Sequence, residues 1–129
     1  MCVLVVEDDT LTRETMGIVL EEQGYRVVLA CNGSDGLLAF SEATPDLVLT
    51  DVNMPGVNGF EVLSRVRAGC PDLPVIIITA NYIQDAEREA RRLGADDFIN
   101  KPVDLEDMLT RIAACLDKGW KRAPTPPSL

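Results

Sequence analysis

Residues 74–79 read Pro-Val-Ile-Ile-Ile-Thr. Four β-branched aliphatic residues in a row are too few for a helix, and their unbroken apolarity points to a strand covered on both faces. Four similar runs occur, at Cys2 to Val6, Arg26 to Ala30, Asp46 to Thr50 and Asp96 to Asn100, and Pro74 to Thr79 is the clearest of the five. Longer segments with helical spacing lie between them. Leu105, Met108, Leu109, Ile112 and Leu116 form one apolar stripe, with Asp104 placed as its N-cap. Leu11 to Gln23 puts Met16, Val19 and Leu20 on one face and stops at Gly24. Ser34 to Glu42 and Phe60 to Arg67 are shorter helices. A fourth carries Ile83, Ala86, Ala90 and Leu93 as its stripe and ends at Gly94, while Asp85, Glu87, Arg88, Glu89, Arg91 and Arg92 cover the rest. That charged surface reads first as a solvated face and second as a dimer face.

Five strand–helix units in alternation predict an α/β fold: a doubly wound parallel sheet with helices on both sides, because each crossover is right-handed and must pack back onto the sheet. The composition agrees. Of 129 residues 47% are hydrophobic but only 5% aromatic, so the core is aliphatic. The 129 residues make one domain by size, filled by the five units to residue 117, which leaves no room for an effector domain. Residues 118–129, with Pro124, Pro126 and Pro127 and no periodicity, are expected to be a disordered tail or the start of a linker.

Charge and residue content exclude several function classes. Twelve Lys and Arg against 21 Asp and Glu give a formal charge of −9, which disfavours direct nucleic-acid binding. No run approaches the roughly 20 apolar residues of a membrane span, and the N-terminus lacks signal-peptide zones, so a soluble cytoplasmic protein is expected. Cys2, Cys31, Cys70 and Cys115 are scattered, and with no His in the chain there is no Cys/His zinc site. The missing His also removes Ser/His/Asp and Cys/His catalysis, leaving carboxylates, Lys and hydroxyls to carry any chemistry.

In doubly wound folds ligands bind beyond the carboxyl ends of the strands. Those ends are Glu7-Asp8-Asp9, Thr50-Asp51, Thr79-Ala80 and Asn100-Lys101-Pro102. With the first and third strands adjacent, Glu7, Asp8 and Asp51 share a small volume and repel one another unless a cation or proton intervenes. An all-oxygen donor set favours Mg2+, with Mn2+ as a substitute, and Mg2+ often completes its shell with a phosphate oxygen. Phosphoryl transfer follows as the leading chemistry: Asp51 the nucleophile, Asp8 and Glu7 the metal holders, Lys101 and Thr79 donors to phosphoryl oxygens. Asn53 lies in the following loop, where its carbonyl could join the metal shell, and Gly56 and Gly59 let that loop turn tightly. The alternatives are ordinary: Glu7-Asp8-Asp9 as a solvated turn charged to suit a helix N-terminus, Thr79 as a strand residue, Lys101 as a surface lysine.

These same residues carry a resemblance. Val-Val-Glu-Asp-Asp after strand one, Asp-Val-Asn-Met-Pro-Gly-Val-Asn-Gly-Phe-Glu after strand three, Ile-Ile-Thr-Ala after strand four and Gly-Ala-Asp-Asp-Phe-Ile-Asn-Lys-Pro around strand five are similar to the motifs of bacterial response-regulator receiver domains. The single-domain chemotaxis regulator is the familiar form. The resemblance covers residues 2 to about 117 and implies a flavodoxin-like fold with strand order 2-1-3-4-5. It makes Asp51 the phosphoacceptor, Asp8 a direct Mg2+ ligand, Glu7 a ligand through water and Asn53 a carbonyl ligand. Thr79 becomes the switch hydroxyl, Lys101 the phosphate partner and Phe98 the switch aromatic, with Pro55, Gly56, Gly59, Ala80 and Pro102 supporting the loops.

The resemblance further implies a phosphorelay acceptor fed by a sensor histidine kinase or phosphotransfer protein. Output would pass to an effector through the face of helix four, strand five and helix five, from a monomer or a weak phosphorylation-dependent dimer. Such a domain is not an enzyme beyond its own phosphoryl transfer and autodephosphorylation. Rival readings are a module cut from a hybrid sensor kinase or a DNA-binding response regulator, a pseudo-receiver that is never phosphorylated, an aspartyl-nucleophile phosphohydrolase, whose second Asp is here Asn53, and a flavin carrier, whose phosphate Glu7-Asp8-Asp9 would repel.

Overall fold

The computed structural model describes residues 1–80 and 84–117. Chain order is β1 (Cys2–Val6), α1 (Thr10–Glu22), β2 (Arg26–Ala30), α2 (Gly33–Ala43), β3 (Leu47–Asp51), α3 (Gly59–Gly69), β4 (Val75–Thr79), α4 (Gln84–Arg92), β5 (Asp97–Asn100) and α5 (Leu105–Leu116). All four strand pairings are parallel and the order is β2-β1-β3-β4-β5, a doubly wound flavodoxin-like sheet. Ile83 of the expected fourth stripe and the tail from residue 118 lie outside the described residues.

Each expected strand is present, with its ends moved by at most one residue. The shift matters at β3, which begins at Leu47 and takes in Asp51. Asp46 stays outside because its carboxylate accepts the Cys2 N–H at 2.7 Å and fastens the starts of β1 and β3 together. At β5, Asp96 is excluded for a similar reason: its carboxylate accepts the Val75 N–H and an Arg67 N–H, both at 2.8 Å. Burial on both faces holds for β1, β3 and β4, whose residues are all buried. It fails for β2 and β5, the two edges of the sheet, which are partly exposed.

Alternation along the strands divides the core into two layers. Val3, Val5, Leu47, Leu49, Ile76, Ile78 and Ile99 pack with Met16 and Leu20 of α1 and Met108, Ile112 and Cys115 of α5. Leu4, Val6, Val48, Val75 and Ile77 pack on the other side with Val62, Leu63 and Val66 of α3 and Ala90 of α4. Ile76, Ile77 and Ile78 are all fully buried, each contributing about 1.5–3 kcal/mol relative to exposure. Asp9, Asn32, Asn58 and Asp104 cap α1, α2, α3 and α5, each accepting a backbone N–H three residues on. Gly24 and Gly94, at φ +93° and +97°, turn the chain out of α1 and α4 as expected.

Candidate functional site

The register of the sheet brings the ends of β1 and β3 side by side, with Val6 opposite Thr50. Glu7 and Asp51 therefore emerge next to each other, and by alternation both continue the face that packs on α1 and α5. One carboxylate oxygen from each of Glu7, Asp8 and Asp51 lie within 4.8 Å of one another. Glu7 is fully buried, Asp51 is 3% exposed and Asp8 is exposed, so the cluster opens to solvent through Asp8.

Lys101 reaches this cluster from beyond β5, just before a cis Lys101–Pro102 bond. Its Nζ lies 3.0 Å from Asp51 Oδ2 and 3.0 Å from Glu7 Oε1, and donates a longer hydrogen bond to Glu7 Oε2 at 3.3 Å. Its backbone N–H donates to the Thr79 carbonyl at 2.8 Å, which ties the β5 end to β4. Glu7 Oε2 also accepts the Asp9 N–H at 3.1 Å, whereas the buried Oε1 accepts no hydrogen bond, being close to Lys101 but out of line. Burial raises the Glu7 carboxyl to about 7, helped by the charge of Asp51 and opposed by the Asp9 N–H and Lys101. For Lys101, burial works against the ammonium, but hydrogen bonds and charge from Asp51 and Glu7 outweigh it and hold it above the ordinary lysine range.

With all three carboxylates ionised, as a bound cation would favour, three carboxylates and one ammonium leave two negative charges, the deficit that one divalent cation fills. The donor set is all oxygen, one member is a buried carboxylate oxygen that accepts no hydrogen bond, and the cluster is open on the Asp8 side. Those features suit Mg2+, which prefers few protein oxygens and retains water.

The remaining expected residues fall around this cluster. Asn53 is exposed, and its N–H donates to Asp51 Oδ1 at 3.3 Å. Thr79 is fully buried at the end of β4. It alternates with Ile78, so it continues the face of Val75 and Ile77 toward α3 and α4, the opposite layer from Asp51. Phe98 lies opposite Ile77, half-buried on that same layer and one diagonal step from Thr79. Pro55, Ala80 and Pro102 are exposed at the loop tips. Gly56 has φ +77°, the turn conformation expected of it. Gly59 has a different role from the one expected: a Cβ there would collide with the Asp51 carbonyl and Val52 Cα, so glycine permits α3 to start against the end of β3. Asp9 is the cap of α1, bonded to the N–H of Thr12 at 2.9 Å and to its hydroxyl at 2.6 Å.

Arg13 is the residue that sequence reasoning missed. From the first turn of α1, its Nη1 donates to the Glu7 carbonyl at 2.9 Å and the Asp8 carbonyl at 3.4 Å. The only signal for it was its spacing of four residues from Asp9, and spacing does not show where a long side chain points.

Comparison with known proteins agrees with this geometry. A family model of the response regulator receiver domain matches residues 3–113, and the chain belongs to that family, the receiver domains of two-component response regulators. The transcriptional regulatory protein AfsQ1 of Streptomyces coelicolor is 39% identical over 120 residues, which is 93% of this chain and 53% of the relative. A cyclic di-GMP phosphodiesterase of Thermotoga maritima is 40% identical over 116 residues, 90% of this chain and 31% of that protein. This chain thus spans about half or less of these curated relatives. Among solved structures, a CheY-like receiver domain protein of Methanospirillum hungatei superposes with a TM-score of 0.86 at 30% identity, covering 90% of this chain and 93% of its own. The chemotaxis protein CheY4 of Vibrio cholerae gives 0.84 at 29% identity, covering 89% and 98%. Receiver domains bind Mg2+ at an acidic pocket and work with histidine kinases and effector domains. Among the described residues no helix is long and apolar enough to cross a membrane.

Proposed function

We propose that Asp51 accepts a phosphoryl group from a phosphohistidine of a partner sensor kinase or phosphotransfer protein, and that this chain is the receiving module of that relay. The observation that carries the proposal is the setting of Asp51: a buried carboxylate at the end of the central strand, 3.0 Å from a lysine and beside two further carboxylates. The donor must be external, because this chain has no His. In the transfer an Asp51 oxygen forms a bond to phosphorus as the P–N bond to the donor imidazole breaks, and the imidazole leaves taking a proton.

Asp8 and Asp51 would hold Mg2+ directly, with Glu7 acting through water and Asn53 offering its carbonyl. When bound, the ion supplies positive charge to the equatorial phosphoryl oxygens. Lys101, already hydrogen-bonded to Asp51, is placed to follow those oxygens, and Thr79 is one strand away to donate its hydroxyl. Moving Thr79 toward the new phosphate frees space on the α3/α4 side, into which Phe98 can turn, and this biases the face made by α4, β5 and α5 for an effector. The chain catalyses only its own phosphorylation and dephosphorylation. Its four cysteines are free thiols, consistent with a reducing cytoplasm.

An output domain belonging to the same regulator is the second reading, favoured by the short share of the curated relatives that this chain spans. The test of the central proposal is transfer of labelled phosphate from a phosphohistidine donor or acetyl phosphate with Mg2+. Asp51→Asn should abolish the acid-labile label; undiminished labelling of that variant removes Asp51 from the mechanism.

A further inference from the structure

We propose that Arg13 is a positioning residue for the divalent cation: by clamping the carbonyl oxygens of Glu7 and Asp8 it holds the acidic turn in the shape that gathers the carboxylates. The inference rests on the metal-binding reading above. A planar peptide leaves only φ and ψ free, so fixing where two successive carbonyls point fixes ψ at Glu7 and Asp8 and with it the course of the backbone from which Asp8 projects. Arg13 fixes both from one guanidinium, at 2.9 and 3.4 Å, while its Nη2 reaches the Thr10 hydroxyl at 3.5 Å. The other anchors are the Glu7 N–H, which donates to the Ala30 carbonyl at 3.0 Å, the Asp9 N–H, which donates to Glu7 Oε2 at 3.1 Å, and the Asp9 side chain, which is tied into the cap of α1; among these contacts the Glu7 carbonyl is held by Arg13. Asp8, exposed between them, takes its backbone direction from Arg13 on the Glu7 carbonyl side and from Arg13 together with the Asp9 N–H bond on its own carbonyl side.

The position of this arginine makes the proposal sharp. It is a cation beside a cation site, so if it acted through charge alone, its removal would tighten metal binding. Acting by position, its removal loosens it. Mn2+ serves as the probe, titrated into the full chain and followed by the paramagnetic resonance of the free ion, with melting temperatures measured in parallel under chelation. Arg13→Ala should weaken Mn2+ binding on the order of tenfold, the usual scale for residues that orient metal ligands. Arg13→Lys, which keeps the charge and can reach one carbonyl, should recover part of that loss. Equal or tighter binding in Arg13→Ala overturns the proposal, as does a lowered melting temperature with Mn2+ affinity unchanged. Asp8→Asn separates the two layers of inference: Mn2+ binding insensitive to that change defeats the carboxylate site itself, whereas a sensitive Asp8→Asn beside an insensitive Arg13→Ala defeats only the role given to Arg13.

Discussion

Replacing Lys101 by Met tests the electrostatic account of the site most directly. The ammonium sits 3.0 Å from an oxygen of each of two buried carboxylates. At an effective dielectric of 20 each contact corresponds to about 5.5 kcal/mol of attraction, and at water's dielectric to about 1.4 kcal/mol. The lysine side chain is 23% exposed, so the true value lies between these and is offset by desolvation. Glu7 offers relief, since a carboxyl already raised to about 7 takes up a proton when its cation is removed. Breaking a buried pair usually costs about 3–5 kcal/mol, and that escape puts Lys101→Met near the lower figure at neutral pH. The loss corresponds to a drop of roughly 10 °C or more in melting temperature for a domain of this size.

The second half of this prediction has the opposite sign. A divalent ion on the same carboxylates is repelled by the ammonium; with a separation of about 5 Å and water-like screening the repulsion is about 1.7 kcal/mol, somewhat over tenfold in affinity. Lys101→Met should therefore be less stable than wild type under chelation, bind Mg2+ more tightly, and recover much of its deficit in excess Mg2+. Urea unfolding with and without Mg2+, together with calorimetric titration, reads all three quantities. A stability gap that Mg2+ leaves unchanged, or weaker Mg2+ binding in the variant, would show that Lys101 and the metal do not share these carboxylates.

Three further outcomes are expected. The folded pKa of Glu7, about 7 against an ordinary 4.5, means that its contribution to metal-free stability is fully present below pH 4.5 and is lost as pH rises through 7; the loss is on the order of 3 kcal/mol, and Glu7→Gln should flatten that part of the stability–pH curve measured under chelation. Gly59→Ala places a methyl against backbone atoms of Asp51 and Val52 that cannot move aside, so it should lower the unfolding free energy measured in urea by about 1–3 kcal/mol and weaken Mg2+ binding with it; Gly56→Ala, penalised only for its positive φ at about 1–2 kcal/mol, should leave Mg2+ binding nearly intact. Burial, with the charges of Asp96 and Asp97, pushes the Cys115 thiol up to about 12, so iodoacetamide at neutral pH should label exposed Cys31 and reach Cys115 only on unfolding.

What the sequence made legible was whatever depends on local pattern. The apolar runs located all five strands, and the polar residues that end them supplied Glu7, Asp8, Asp51, Thr79 and Lys101. Parallel topology alone then places those residues on one edge of the sheet. What stayed hidden depends on side chains that meet across many residues. Arg67 of α3 donates to the Gly94 carbonyl and to Asp96, binding together elements 27 and 29 residues apart, and no periodicity marks it among the other arginines. The reason for Gly59 was equally invisible, since a close approach of two backbones leaves no trace in composition. Arg13 belongs to the same class: its type and spacing fit a solvated helix face as well as they fit a clamp.

The alternation of β3 and β4 also has a bearing on how such a module can be altered. Asp51 faces the layer of α1 and α5, while Thr79 and Phe98 face the layer of α3 and α4. Under the proposed mechanism the acceptor and the switch pair thus sit on opposite faces of a sheet whose three central strands are closed to solvent, and only the strand tips join them. Drift or engineering on the α3/α4 side can therefore alter the switch while the acidic pocket stays intact, whereas α5 shares the layer of Asp51, so changes on that part of the output face fall on the pocket's own side.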